Sequence, residues 1–139
     1  MSRRLAREAA MCLLYEREVG GAPGDQTLEE MKDVLQTEKI MDKHGDYIEA
    51  VLQLYDEKKS SIDAVIERYC RSWKLDRLSR VDLSILRLAI MEIYFFEDIP
   101  EKVTVNEAVE MAKKYSTDKA PGFINGVLGS VLEERPEMN

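Results

Sequence analysis

Apolar side chains recur three or four residues apart in "LAREAAMCLL", "YIEAVLQLY", "SIDAVIERYC", "LSILRLAIMEIYFF", "NEAVEMAKKY" and "FINGVLGSVL". That spacing lines one face of a helix with 3.6 residues per turn. No long stretch alternates apolar and polar positions between turn residues, so strands are not expected. The pattern predicts an all-α chain of about seven helices, near 3–18, 27–37, 45–59, 61–73, 80–96, 105–115 and 120–133.

Start and stop signals accompany this periodicity. Boxes of the form [ST]-x-x-[DE] stand at Thr27–Glu30, Ser60–Asp63, Ser79–Asp82 and Thr104–Glu107. In each, a hydroxyl and an acid three residues on can satisfy backbone N–H groups at a helix start. "GGAPGD" at 20–25 ends the first helix and "EDIPEK" interrupts the chain at Pro100, because glycine and proline continue a helix at a cost. "RPEMN", 135–139, reads as a frayed tail. At 139 residues the chain suits one domain, 1–139. "KLDRLSR" divides it into helical halves of about 1–74 and 75–134. Tyr69 and Trp73, just before that divide, suit either packing at a helix end or contact with a ligand.

Charge changes the picture more than composition does. The formal net charge is -7, with 27 acids against 20 bases. Residues 21–60 hold ten acids and five bases, while 1–20 hold four bases and three acids. Arg68, Arg71, Lys74, Arg77 and Arg80 recur every third residue against the single acid Asp76. An anionic partner can therefore meet local positive potential on an acidic protein. A solvated basic surface near a helix C-terminus is the plainer reading of that series.

Several function classes find no support. The longest apolar run, "LRLAIMEIYFF", is interrupted by Arg87 and Glu92 and falls short of the roughly 20 residues a spanning helix needs. The basic start lacks a cleavage-like segment, so no signal peptide is expected and the default location is the cytoplasm. Cys12 and Cys70, far apart and without CxxC spacing, read as small core residues rather than a disulfide or metal ligands. His44 is the one histidine, which argues against histidine catalysis or a His-rich metal site. Phosphate-loop, GxSxG and HExxH motifs are absent from the sequence, so neither an enzyme nor a bound cofactor is expected.

The opening, "SRRLAREAAMCLLYE", has three arginines before its first acid, Glu8. On a helix Arg3 and Arg7 are i,i+4 neighbours, and Arg4 and Arg7 are i,i+3 neighbours, so all three can share a patch. A helix N-terminus is already partly positive, which makes cations there mildly unfavourable unless an anion receives them. Arginine's planar fork suits phosphate. The alternative is a disordered basic start with Arg4 paired to Glu8.

Three stretches carry a resemblance: this opening, "WKLDRLSRVDLSILRLAIMEIYFFEDIPEKV" and "TVNEAVEMAKKYSTDKAPGFINGVLGSVLEE". Together they resemble the bacterial transcription antitermination factor family NusB, most specifically in "NEAVEMAKKY" and "FINGVL". Residues 21–50 match poorly. The resemblance implies an all-α fold of two packed helical sub-bundles. It further implies binding of boxA single-stranded RNA jointly with the ribosomal protein NusE, inside an elongation complex with other Nus factors. By position, the RNA surface would comprise Arg3, Arg4, Arg7, Tyr69, Phe123 and Asn125, and the partner-protein surface Asp82 and the loop at Asp118. Arginines neutralise phosphate, aromatic faces stack on bases, and an amide reads a base edge.

The residues themselves leave other roles open. Phe123 suits a core, and Asn125–Gly126 suits close helix packing. This chain also has Gly122 where the family commonly has a basic residue, and Gly129 where it has a polar one. A helical homodimeric interaction module without RNA binding is the rival reading.

Overall fold

The computed structural model describes residues 3–19, 40–70 and 78–138, with side chains throughout except at 19 and 40–44. The described residues form five α-helices and no strand: α1 (Arg3–Val19), α2 (Ile40–Tyr69), α3 (Arg80–Phe95), α4 (Glu101–Tyr115) and α5 (Ala120–Glu134). The expected helix at 27–37, its box at Thr27, Trp73 and the side chain of His44 lie outside the described residues.

The expectation of about seven helices is corrected at one junction. The helices expected at 45–59 and 61–73 are one 30-residue helix, α2. No proline stands within it, and its last glycine is Gly45. Its covered positions, at Ile48, Val51, Tyr55, Lys58, Ile62 and Ile66, keep steps of three and four straight through Ser60–Ser61. A serine pair alone does not stop a helix whose buried row is continuous, since serine's propensity deficit is only tenths of a kcal/mol. Ser60 is therefore not a cap, and Asp63 serves a different purpose.

The chain divides into two compact units, Met1–Glu57 and Lys58–Asn139, with the boundary inside α2. In the first unit α1 is covered along most of its circumference from Ala6 to Tyr15. Arg3 sits over the Tyr47 ring, 4.7 Å from its centroid, and Arg17 reaches Asp56 at 2.7 Å. Those contacts advance in the same order along both helices, so α1 and the first part of α2 run in the same direction.

In the second unit α4 packs on both α3 and α5, and α3 also meets α5. Ile85, Leu86, Ile90 and Met91 of α3 and Ile124, Leu128 and Val131 of α5 are buried. Near the end of α2 Ile62 and Ile66 are buried, and Asp63 ties the helix to α3 by accepting two hydrogen bonds from Arg87 at 2.8 and 2.9 Å. Ser79 caps α3, its hydroxyl accepting from the Asp82 N–H at 3.0 Å, as the box there predicts. The Thr104 box does not start a helix. Helix α4 begins four residues earlier than expected, directly after Pro100, whose fixed φ suits a helix entry. Thr104 is buried in its first turn and donates to Glu92 Oε1 at 2.7 Å.

Residues 135 and 136 are held rather than frayed. Arg135, at φ 46, closes α5 by donating its N–H to the Val131 carbonyl at 2.7 Å, and its guanidinium pairs with Glu101. The Tyr94 hydroxyl donates to the Pro136 carbonyl at 2.5 Å.

Candidate nucleic-acid interface

The three opening arginines take different environments. Helix α1 has no acid in its first turn, so no carboxylate of that turn offsets its positive end. Arg4 is exposed and Arg3 half-buried over Tyr47, whereas Arg7 is only 5% exposed. Its burial follows from the helix: position 7 lies among Ala6, Ala9, Ala10 and Met11 on the covered side. All three have contacts within the chain, so none is an idle charge.

Tyr69 ends α2. Its hydroxyl donates to Glu134 Oε1 at 3.1 Å, and Arg68 lies 5.7 Å from its ring centroid while pairing with Glu134 at 3.5 Å. Desolvation first, and then the bond to Glu134, hold its phenol above the ordinary tyrosine range. A half-buried aromatic face thus stands beside a guanidinium and a carboxylate.

Phe123 is half-buried in the first turn of α5 and lines a hollow of about 280 Å³ with Ser79, Asp82, Thr117, Lys119 and Ala120. It does not belong to the closed core. Two residues on, Asn125 is exposed and lines a separate hollow of about 330 Å³ with Lys102, Val105, Asn106, Val109 and Leu132. A two-residue step on a helix turns a side chain most of the way to the opposite face. Phe123 and Asn125 therefore serve different surfaces. A Cβ at Gly126 would meet nothing within 4 Å, so close packing does not require glycine there.

The two acids expected at the partner surface also differ. Asp82 shares the Phe123 hollow, and its Oδ1 accepts from the Ser116 hydroxyl at 2.6 Å. The hydroxyl of Ser79 caps the helix, while the Asp82 carboxylate ties the start of α3 to the end of α4. Asp118 is exposed in the turn before α5, whose N-cap position is Lys119 and makes no side-chain cap bond. Sequence reasoning passed over Lys119, Lys102 and Asn106. The i,i+4 spacing of Lys102 and Asn106, in and beside "NEAVEMAKKY", was the signal available for that pair.

Family comparison decides the assignment: residues 4–133 match the NusB family. The chain belongs to the NusB family. The transcription antitermination protein NusB of Natranaerobius thermophilus is 49% identical over 138 residues, covering 96% of each chain. The crystal form of T. maritima NusB superposes with a TM-score of 0.75 at 38% identity, covering 96% of this chain and 92% of that one. A crystal structure of the antitermination factors NusB and NusE in complex with dsRNA shares the fold, with a TM-score of 0.71 at 23% identity, over 95% of this chain and 96% of its counterpart. These matches account for the three sequence stretches that resemble NusB and for the all-α architecture.

Proposed function

We propose that this NusB-family chain is a non-enzymatic, cytoplasmic transcription antitermination factor. It binds boxA-type single-stranded RNA together with the ribosomal protein NusE. With other Nus factors it supports processive transcription, including that of ribosomal RNA operons. The observation that carries this reading is the family match across 4–133. The solved complex of a fold relative with NusE and dsRNA lends support to NusE and to RNA as partners. Among the described residues no helix is long and apolar enough to cross a membrane.

The chemistry of the surface suits that role. Arg3 and Arg4 place cations where a helix end already attracts phosphate. Phe123 offers a ring that is neither sealed in the core nor fully solvated, as base stacking requires. The acidic remainder disfavours indiscriminate RNA binding and favours a basic protein partner.

The test is a titration of labelled boxA RNA and a scrambled control, with and without NusE, using the parent and Phe123→Ala. The parent is expected to prefer boxA and to bind it more tightly with NusE. Phe123→Ala should lose roughly 1–3 kcal/mol of RNA affinity with a nearly unchanged denaturant midpoint. Equal, weak binding of both RNAs by a parent that sediments as a dimer would replace this reading with the homodimeric interaction module.

A further inference from the structure

The hollow between α4 and α5 is unlike the rest of this acidic surface. Of the six described residues lining it, one is a lysine, two are asparagines and three are aliphatic, and none is an acid. Its volume, about 330 Å³, falls at the lower end of the roughly 300–1,000 Å³ range of small-ligand sites. Among the described residues, the side chains of Lys102, Asn106 and Asn125 make no hydrogen bond or ion pair. Their donors and acceptors are therefore unspent.

A second feature adjoins it. Along α5, Gly129 is four residues past Asn125 and three before Leu132, so it lies on their row, about one turn from each. A Cβ there would touch nothing within 4 Å, and Gly129 is exposed. The fold gains nothing from glycine at this position, and glycine weakens a helix interior relative to alanine. A bare backbone wall beside two free amides permits a ligand to approach more closely than any side chain would allow.

The geometry points to a second nucleotide subsite for single-stranded RNA in this hollow, a proposal that rests on the RNA-binding reading above. Asn106 and Asn125 read the edge of one unstacked base against an apolar floor, Lys102 takes an adjoining phosphate, and Gly129 gives the strand room. An asparagine amide matches the paired donor and acceptor of an adenine edge. The lysine supplies a point charge for phosphate without an acid in the lining to oppose it. Phe123 lines a different hollow, so the two sites would hold different nucleotides.

The test measures boxA-type RNA binding and melting midpoints for the parent, Asn106→Ala, Lys102→Ala, Gly129→Ala and Phe123→Ala. Asn106→Ala should weaken binding at least fivefold at an unchanged midpoint, as loss of a paired base contact does. Lys102→Ala should flatten the slope of log K against log salt by about 0.7. Gly129→Ala is the sharpest variant: its midpoint should rise while RNA affinity falls, an opposition that a merely structural glycine does not produce. If the parent binds RNA and Phe123→Ala weakens it, yet the three hollow variants bind as the parent does, the subsite is wrong and the RNA reading stands. If the hollow variants lose NusE affinity while RNA binding holds, the occupant is polypeptide and the subsite is overturned. A parent that binds no RNA overturns both.

Discussion

Arg87 holds Asp63 through two hydrogen bonds, Nε to Oδ1 at 2.8 Å and Nη2 to Oδ2 at 2.9 Å, with Arg87 only 2% and Asp63 9% exposed. The pair fixes the last turns of α2 against α3. Asp63→Ala removes two charge-assisted hydrogen bonds from a buried guanidinium and is expected to cost about 3–5 kcal/mol, read as a fall in the urea midpoint. Replacing both residues, Asp63→Leu with Arg87→Met, should recover much of that loss, because desolvation largely offsets the attraction within the native pair. A double variant as unstable as the single one would show that the ionic contact itself supplies stability.

Burial separates two arginines that the sequence groups together. Arg4→Ala removes an exposed cation and should flatten the salt dependence of RNA binding by about 0.7, with no change in melting. Arg7→Ala removes a side chain that is 5% exposed. It should lower the melting midpoint, with a loss on the order of 1–3 kcal/mol from partners left unsatisfied. Circular-dichroism melts beside RNA titrations at several salt concentrations distinguish the two. An Arg7→Ala variant with parental stability and a flattened slope would place Arg7 on phosphate and not in the packing of α1.

Burial of Cys70, with a smaller contribution from Glu67, lifts its thiol from 9.0 to about 11. Between those values the folded chain keeps a proton that the unfolded chain releases. The stabilisation is therefore complete below pH 9 and is lost as pH rises toward 11. Desolvation raises the Tyr69 and Tyr94 phenols as well, so all three groups push stability down in alkali. Urea midpoints of the parent should fall above pH 9, and those of Cys70→Ala should fall less steeply. Parallel pH profiles would show that Cys70 does not titrate differently in the two states.

The periodic pattern made most of the fold legible, because α1, α3 and α5 begin and end within about a residue of their apolar rows and stop signals. Errors arose where a local motif competed with long-range packing. Ser60–Asp63 has the form of a capping box, yet Asp63 is committed to Arg87, 24 residues away. Thr104–Glu107 has the same form, yet the Thr104 hydroxyl is taken by Glu92 on the neighbouring helix. A box specifies a spacing and not which partner the tertiary fold will bring. For the candidate site, helical spacing grouped Arg3, Arg4 and Arg7 in one patch, but the burial of Arg7 depends on what covers α1. Family resemblance set Phe123 and Asn125 on one surface, although a two-residue step on a helix nearly reverses the face, and the structure places them in separate hollows.

Asp82 and Asp118 carry equal charge into unequal surroundings, and this sets the expectation for NusE. Asp118 is exposed and the N-cap of α5 is Lys119, so Asp118→Lys should leave the melting midpoint unchanged. Asp82 accepts from Ser116 at 2.6 Å, and Asp82→Lys should cost about 1–2 kcal/mol from that bond alone. Asp82→Asn keeps an acceptor for Ser116 while removing the charge, which makes it the cleaner probe. If a basic partner is steered by both carboxylates, Asp118→Lys and Asp82→Asn should each slow NusE association at low salt, and the differences should shrink as salt screens them. Binding of RNA alone should be equal or slightly stronger in both, since each change makes the surface less negative. Association rates identical to the parent at low salt, in variants that melt normally, would place the NusE surface away from the Phe123 hollow.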